Sequence, residues 1–134
     1  MRRPNQGFTL IEIMIVIAII GIVITIGYPS LTEYLKKGRR TEIAGLLSEQ
    51  AQILERTYSR TNVYNTMPTG LSAGNDFYTI TPTLTETTFL LTATRKAGTS
   101  MATDKCGDFT LTNTGARGIP NAAAGLTTKD CWGR

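Results

Sequence analysis

Residues 7–23 read GFTLIEIMIVIAIIGIV, and this stretch decides how the chain is organised. The apolar run starts at Phe8 and lasts to Ile26, interrupted by the polar residues Thr9, Glu12 and Thr25. At about 1.5 Å per residue a helix over it reaches roughly 28 Å, close to the ~30 Å hydrocarbon core of a bilayer. It is apolar on every face and rich in Ile, which marks a membrane span rather than the one-sided stripe of a surface helix. A secretory signal has a shorter apolar core, about 7–15 residues, and a small-residue cleavage site after it. Here the run is longer, and a short basic leader, MRRPNQG, precedes it. An acid at the centre of a spanning helix costs roughly 2.5–3.5 kcal/mol. Glu12 is therefore expected to have a partner and a task.

The whole chain has 134 residues, a net charge of +4, two cysteines and no histidine. Without histidine, Ser-His-Asp and Cys-His nucleophiles and His-ligated metals are excluded. No glycine-rich phosphate loop, HExxH helix or EF-hand loop occurs. No catalytic residue, cofactor or metal site is expected. The acids Asp76, Asp104, Asp108 and Asp130 are scattered and read as solvated loop residues. The mild positive charge is not interleaved with aromatics, so by itself it does not establish a nucleic-acid partner.

Past the span the composition changes. Lys36, Lys37, Arg39 and Arg40 form a basic run that reads as a solvated face, placed to meet lipid headgroups or acids of neighbouring subunits. Leu31, Tyr34, Leu35, Ile43, Leu46, Leu47, Leu54 and Tyr58 recur at helical spacing. The spacing predicts a helix from about Phe8 to about Thr57, with Pro29 kinking or opening it near Thr25 and breaks at Pro29 and Gly38. Residues 59–76 are rich in turn formers. Strands are expected at 77–84, 88–95 and 108–114, where Thr alternates with Phe, Tyr and Leu. Pro82 points to a strand end or an edge strand. The expectation is an α+β fold: a long N-terminal helix on a small antiparallel sheet of three or four strands. So small a core calls for a staple, and Cys106 and Cys131 are available for one, with nothing near them completing a metal site.

GFTLIE after a basic leader resembles the class III signal of type IV pilins and pseudopilins: Gly7, the aromatic Phe8, then Glu12 at the fifth mature position. Gly21 and Pro29 also fall where pilins have them. Near the other end, KCGDFTLTNTGARG and KDCWGR are similar to the C-terminus of PilE-like minor pilins. The resemblance implies the type IV pilin fold, with a leader over 1–7, a transmembrane and polymerisation helix over 8–28, and a periplasmic head over 29–134. It implies cleavage between Gly7 and Phe8 by a prepilin peptidase and methylation of the new Phe8 amine. Other pilin subunits, major and minor, and an inner-membrane assembly platform would be the partners. In a filament, Glu12 would face the Phe8 amine of a neighbouring subunit. The segment between the cysteines would be the exposed D-region. Counting Lys and Arg around the span would put the C-terminal side in the cytoplasm. Bridged cysteines argue for the opposite side, and the resemblance settles on a periplasmic head.

The implied function is that of a structural subunit, a minor pilin, in filaments that serve twitching motility, attachment and DNA uptake. A type II secretion pseudopilin shares the N-terminus, but major pseudopilins usually depend on calcium and lack this cysteine pair. A membrane-anchored periplasmic enzyme or binding protein is the rival of another class. A DNA-binding tip pilin is a further reading, and it predicts salt-sensitive binding by the head.

Overall fold

The computed structural model describes residues 5–133; Arg2 and Arg3 of the expected leader lie outside the described residues. The elements run α1 (Leu10–Thr61), β1 (Tyr78–Leu84), β2 (Phe89–Arg95), β3 (Phe109–Thr112), β4 (Arg117–Gly118) and α2 (Thr128–Trp132). The chain divides into two compact units, one ending at Leu35 and the other beginning at Lys36.

The first unit is the N-terminal part of α1. Every residue from Asn5 to Leu31 is exposed. This part is long and apolar enough to cross a membrane. Helix continues through Pro29 and Gly38, so the expected break is absent at both. A proline in a helix removes one N–H donor. The flanking turns carry extra bonds: the Thr25 hydroxyl donates to the Gly21 and Ile22 carbonyls, and Thr32 to the Tyr28 carbonyl. α1 ends four residues later than expected, at Thr61. There Asn62 takes a left-handed conformation (φ 58°), and its N–H closes on the Tyr58 carbonyl.

In the second unit the strands form one antiparallel sheet in the order β1-β2-β3-β4. Alternation does what the sequence asks of it. Tyr78 and Ile80, Phe89, Leu91 and Ala93, and Phe109 and Leu111 face inward, while Thr79, Thr81, Thr83 and Thr94 are exposed. Pro82 sits within β1, an edge strand, opposite Leu91. β3 stops at Thr112 because residues 113–115 turn the chain into the two-residue β4. Ile43, Ala44, Leu47 and Leu54 of α1 join the inward sheet residues in a single core with Tyr64, Met101, Cys106, Cys131 and Trp132. Leu46 and Tyr58 are only partly buried against it.

Two polar side chains share that buried helix face. Gln50 accepts from the Ser72 N–H at 2.6 Å. Arg40 is the greater surprise, because its run was expected to be solvated. Its Nε and Nη2 donate to both carboxylate oxygens of Asp104 at 2.9 and 2.5 Å, with side-chain exposures of 5% and 0%. Asp104 is thus no solvated loop acid. Arg40 lies three residues before Ile43 and seven before Leu47, on the same helix face, and the Asp104 carboxylate holds its guanidinium inside. Of the other three acids two are also engaged, while Asp76 is exposed as expected. Asp108 pairs with Arg95 and accepts from Asn121, and Asp130 forms a capping box with Thr127 at the start of α2. Arg95 further donates to the Asp104 carbonyl, so the segment after β2 is fastened at several points.

Candidate functional site

Three places carry chemistry: the Gly7–Glu12 segment, the disulfide-closed C-terminal segment, and a groove at the C-terminal end of α1.

Gly7 and Phe8 precede α1 and are exposed, Phe8 at 86%, so the Gly7–Phe8 bond is accessible. Thr9 is next, and it organises Glu12. The Glu12 carboxylate accepts from the Thr9 N–H at 2.7 Å and from the Thr9 hydroxyl at 2.8 Å. In return the Glu12 N–H donates to Thr9 Oγ1 at 3.3 Å. This reciprocal pairing is a capping box, and it satisfies donors that every helix start leaves open. Reading GFTLIE only for its cleavage pattern misses this second meaning, although Thr-x-x-Glu before an apolar run is its sequence signal. The two meanings are compatible. Cutting after Gly7 removes neither Thr9 donor, so the carboxylate stays oriented at the helix start, one turn from the Phe8 nitrogen.

Cys106 and Cys131 are bonded, 25 positions apart. Gly107 beside them is at φ 67°, and a Cβ there would stand 2.6 Å from the Pro120 carbonyl oxygen, so glycine is required. Trp132 packs edge-on against Phe109 and donates from Nε1 to the Gly118 carbonyl. It is a core residue that holds the end of the chain against β4. Residues 114–117 and most of 120–125 are exposed.

The groove is lined by Ile53, Arg56, Thr57, Arg60, Thr61, Pro68 and Thr69 and encloses about 520 Å³. Among the described residues, no group of three or more His, Cys, Asp or Glu side chains converges as a donor set for a metal.

Residues 29–110 match the family model described as type IV minor pilin ComP, DNA uptake sequence receptor. That is more than half of the chain. The chain belongs to the type IV pilin family. Residues 2–28 of this pilin also match the prokaryotic N-terminal methylation motif, which takes in Gly7, Phe8 and Glu12. Its minor-pilin affiliation rests on 29–110, so it is carried by the second half of α1, the α1–β1 connection, β1 and β2. A solved type IV pilin from Shewanella oneidensis is 31% identical, with a TM-score of 0.56, over 72% of this chain and 97% of that one. The non-core minor pilin PilV of Neisseria meningitidis has the same fold, with a TM-score of 0.58 at 21% identity over 71% of this chain and 94% of that one. The type IV major alpha-pilin of Moraxella bovis is 51% identical over 46 residues, 34% of this chain and 29% of that protein. Fimbrial protein EcpC of Eikenella corrodens is 38% identical over 64 residues, 48% of this chain and 42% of that protein. The pilin thus spans less than half the length of these curated relatives.

Proposed function

We propose that this pilin is a minor structural subunit of a type IV pilus, made as a membrane-anchored precursor and used as a building block, not as a catalyst. A prepilin peptidase cuts after Gly7 and methylates the Phe8 amine. The span holds the precursor in the inner membrane with its head in the periplasm. An assembly platform then draws it into an extracellular filament with major and minor subunits. One observation carries the reading: the methylation-motif match over 2–28 coincides with an apolar helix exposed at every residue to Leu31. A surface of that size has to be covered, by lipid before assembly and by neighbouring helices after it.

Glu12 then acts in register. Held by Thr9 at the helix start, its carboxylate is presented to the methylated amine of an adjacent Phe8. Leaving one partner of a dry charge pair alone costs about 3–5 kcal/mol. Glu12→Val should therefore insert in the membrane at the normal level while its share of sheared filaments falls about tenfold or more. Normal incorporation of Glu12→Val would overturn the role. Pro29 is proposed as the point where the helix yields when the filament is stretched, having one backbone bond fewer.

A DNA-binding role of the head in DNA uptake is a second reading, favoured by the matched family model, whose description names a DNA uptake sequence receptor. It predicts that the protein binds duplex DNA, with affinity that falls steeply as salt rises.

A further inference from the structure

The groove at the end of α1 is built from one helix face and one stretch of the α1–β1 connection. Ile53, Arg56, Thr57, Arg60 and Thr61 recur at spacings of three and one, so they share a face, and Pro68 and Thr69 form the opposite wall. Arg56 and Arg60 are both exposed, and no described residue gives either one a hydrogen bond or an ion pair. The sequence offers no relief. Positions 52, 53, 59 and 63 hold Gln, Ile, Ser and Val, so no carboxylate lies three or four residues from either arginine. Glu55, next to Arg56, is taken by the Tyr64 hydroxyl at 2.8 Å. Like charges one turn apart weaken a helix; the C-terminal end of α1 favours a cation at Arg60, which lies in its last turn, but no carboxylate within the described residues pairs with either guanidinium.

The hydroxyls sort into two kinds. Thr57 and Thr61 donate back to carbonyls of their own chain, at Ile53 for the first and at Thr57 and Val63 for the second. Neither hydroxyl is left as a free donor. Thr69 carries no hydrogen bond among the described residues and is free to donate from the facing wall. The donors on offer are thus two planar guanidinium forks and one hydroxyl, in a groove whose apolar residues are Ile53 and Pro68. Arginine forks match the paired oxygens of phosphate. The two forks stand one helical turn apart, close to the separation of neighbouring phosphates along a strand.

We propose that this groove is a phosphodiester-binding site that takes two successive phosphates of a DNA strand, Arg56 on one and Arg60 on the next, with Thr69 donating to the same backbone. The assignment rests on the DNA reading above and gives that reading a place on the molecule. Contacts of this kind position the nucleic acid and do not read its sequence. Base selection, where it occurs, has to come from other residues.

The test uses the full chain in a non-ionic detergent and a fluorescent duplex, with binding followed by anisotropy across a salt series. Each phosphate contact on duplex DNA contributes a slope of about 0.9 in log K against log salt. The double variant Arg56→Gln/Arg60→Gln should reduce the slope by roughly 1.8 and weaken binding about 30-fold near 0.15 M salt. Arg56→Lys/Arg60→Lys keeps the charges and should recover most of the slope. Lys96→Gln removes an exposed charge away from the groove and should change neither quantity by more than about twofold. Both arginines are exposed, so the buried Trp132 should report an unchanged fold in every variant. Wild-type binding that persists with the same slope in the double variant would overturn the site and leave the DNA reading standing. No binding by the wild type would overturn both. An equal loss for polyglutamate of matched charge would overturn the phosphodiester assignment in favour of a general anion site.

Discussion

Removing Arg40 tests the energetics of the head most sharply. Arg40→Met keeps the aliphatic stem and the volume but deletes the guanidinium that makes two short bonds to Asp104. Asp104, left behind, is 2% exposed and keeps the Cys106 N–H at 3.4 Å as a donor. In the wild type, burial pushes the Asp104 carboxyl up, and the Arg40 bonds and charge, with the Cys106 N–H, more than reverse this and hold it below its ordinary value. Without Arg40 the burial cost is uncompensated, and the cheapest escape is to take up a proton. From an ordinary value of about 3.9, protonating an aspartate at pH 7 costs about 3.1 units at 1.36 kcal/mol each, or roughly 4 kcal/mol. This agrees with the ~3–5 kcal/mol found when one member of a buried pair is removed. The head of a small protein has about 5–15 kcal/mol in total, so the variant should lose a large share of it.

The assay is urea unfolding of the full chain in detergent, followed by the fluorescence of Trp132, the single tryptophan. With a denaturant slope of about 1 kcal/mol per molar, the midpoint should fall by roughly 3 M or more at pH 7. The deficit should shrink with acidity by about 1.36 kcal/mol per pH unit, because protonation is what is being supplied. At pH 5 roughly 1.5 kcal/mol should remain. A deficit under 1 kcal/mol at pH 7, or one that does not change between pH 7 and pH 5, would refute the reasoning and reduce Arg40 to a packing role.

The wild type itself should weaken in acid. Asp104 is held low as described, and Asp130 is held low by its bonds from the Thr127 N–H and hydroxyl. A depressed carboxyl lends stability that is present above its unfolded value and is lost as pH falls through the folded one. Thermal midpoints should accordingly be flat from pH 7 to about pH 5 and drop below about pH 4. Tyr78 predicts the opposite kind of effect, because its hydroxyl is buried without a hydrogen-bond partner among the described residues. Tyr78→Phe removes an unsatisfied polar atom and should be neutral or raise stability by about 1 kcal/mol in the same urea assay; a loss beyond that would mean the hydroxyl is satisfied in solution. Replacing Cys106 and Cys131 together by Ser should lower stability by roughly 3–4 kcal/mol on the chain-entropy model. Equal midpoints for that variant and the wild type under oxidising conditions would show that the closure adds nothing.

Local patterns made much of this molecule legible in its sequence. The span from Phe8 to Ile26 needed only a count of apolar residues, and the three longer strands needed only period-two alternation. β4 and α2 left little trace because they are two and five residues long. Their existence depends on partners: β3 for β4, and for α2 the Thr127–Asp130 capping box and Trp132 docking on Phe109. The Arg40–Asp104 pair was hidden for another reason. Its members are 64 positions apart, and each sits among residues that look solvated. A partial signal was there, since Arg40 falls at helical spacing from Ile43 and Leu47, but a long basic side chain on such a stripe can also carry its charge out to water. The Thr9–Glu12 capping box was equally readable and was masked by the stronger meaning of the same six residues. The arginines of the groove escaped notice because an unpaired charge can be recognised only once the neighbouring acids have been placed.

If this chain is a processed filament subunit, the intact mass of the protein from cells will show it. Filaments are sheared off and the membranes are kept, and the mass is measured in both. The filament form should lack residues 1–7, bear one methyl group on Phe8 and be short of two hydrogens at Cys106 and Cys131, as a small share of the sheared material. An unprocessed chain confined to the membrane fraction would contradict it.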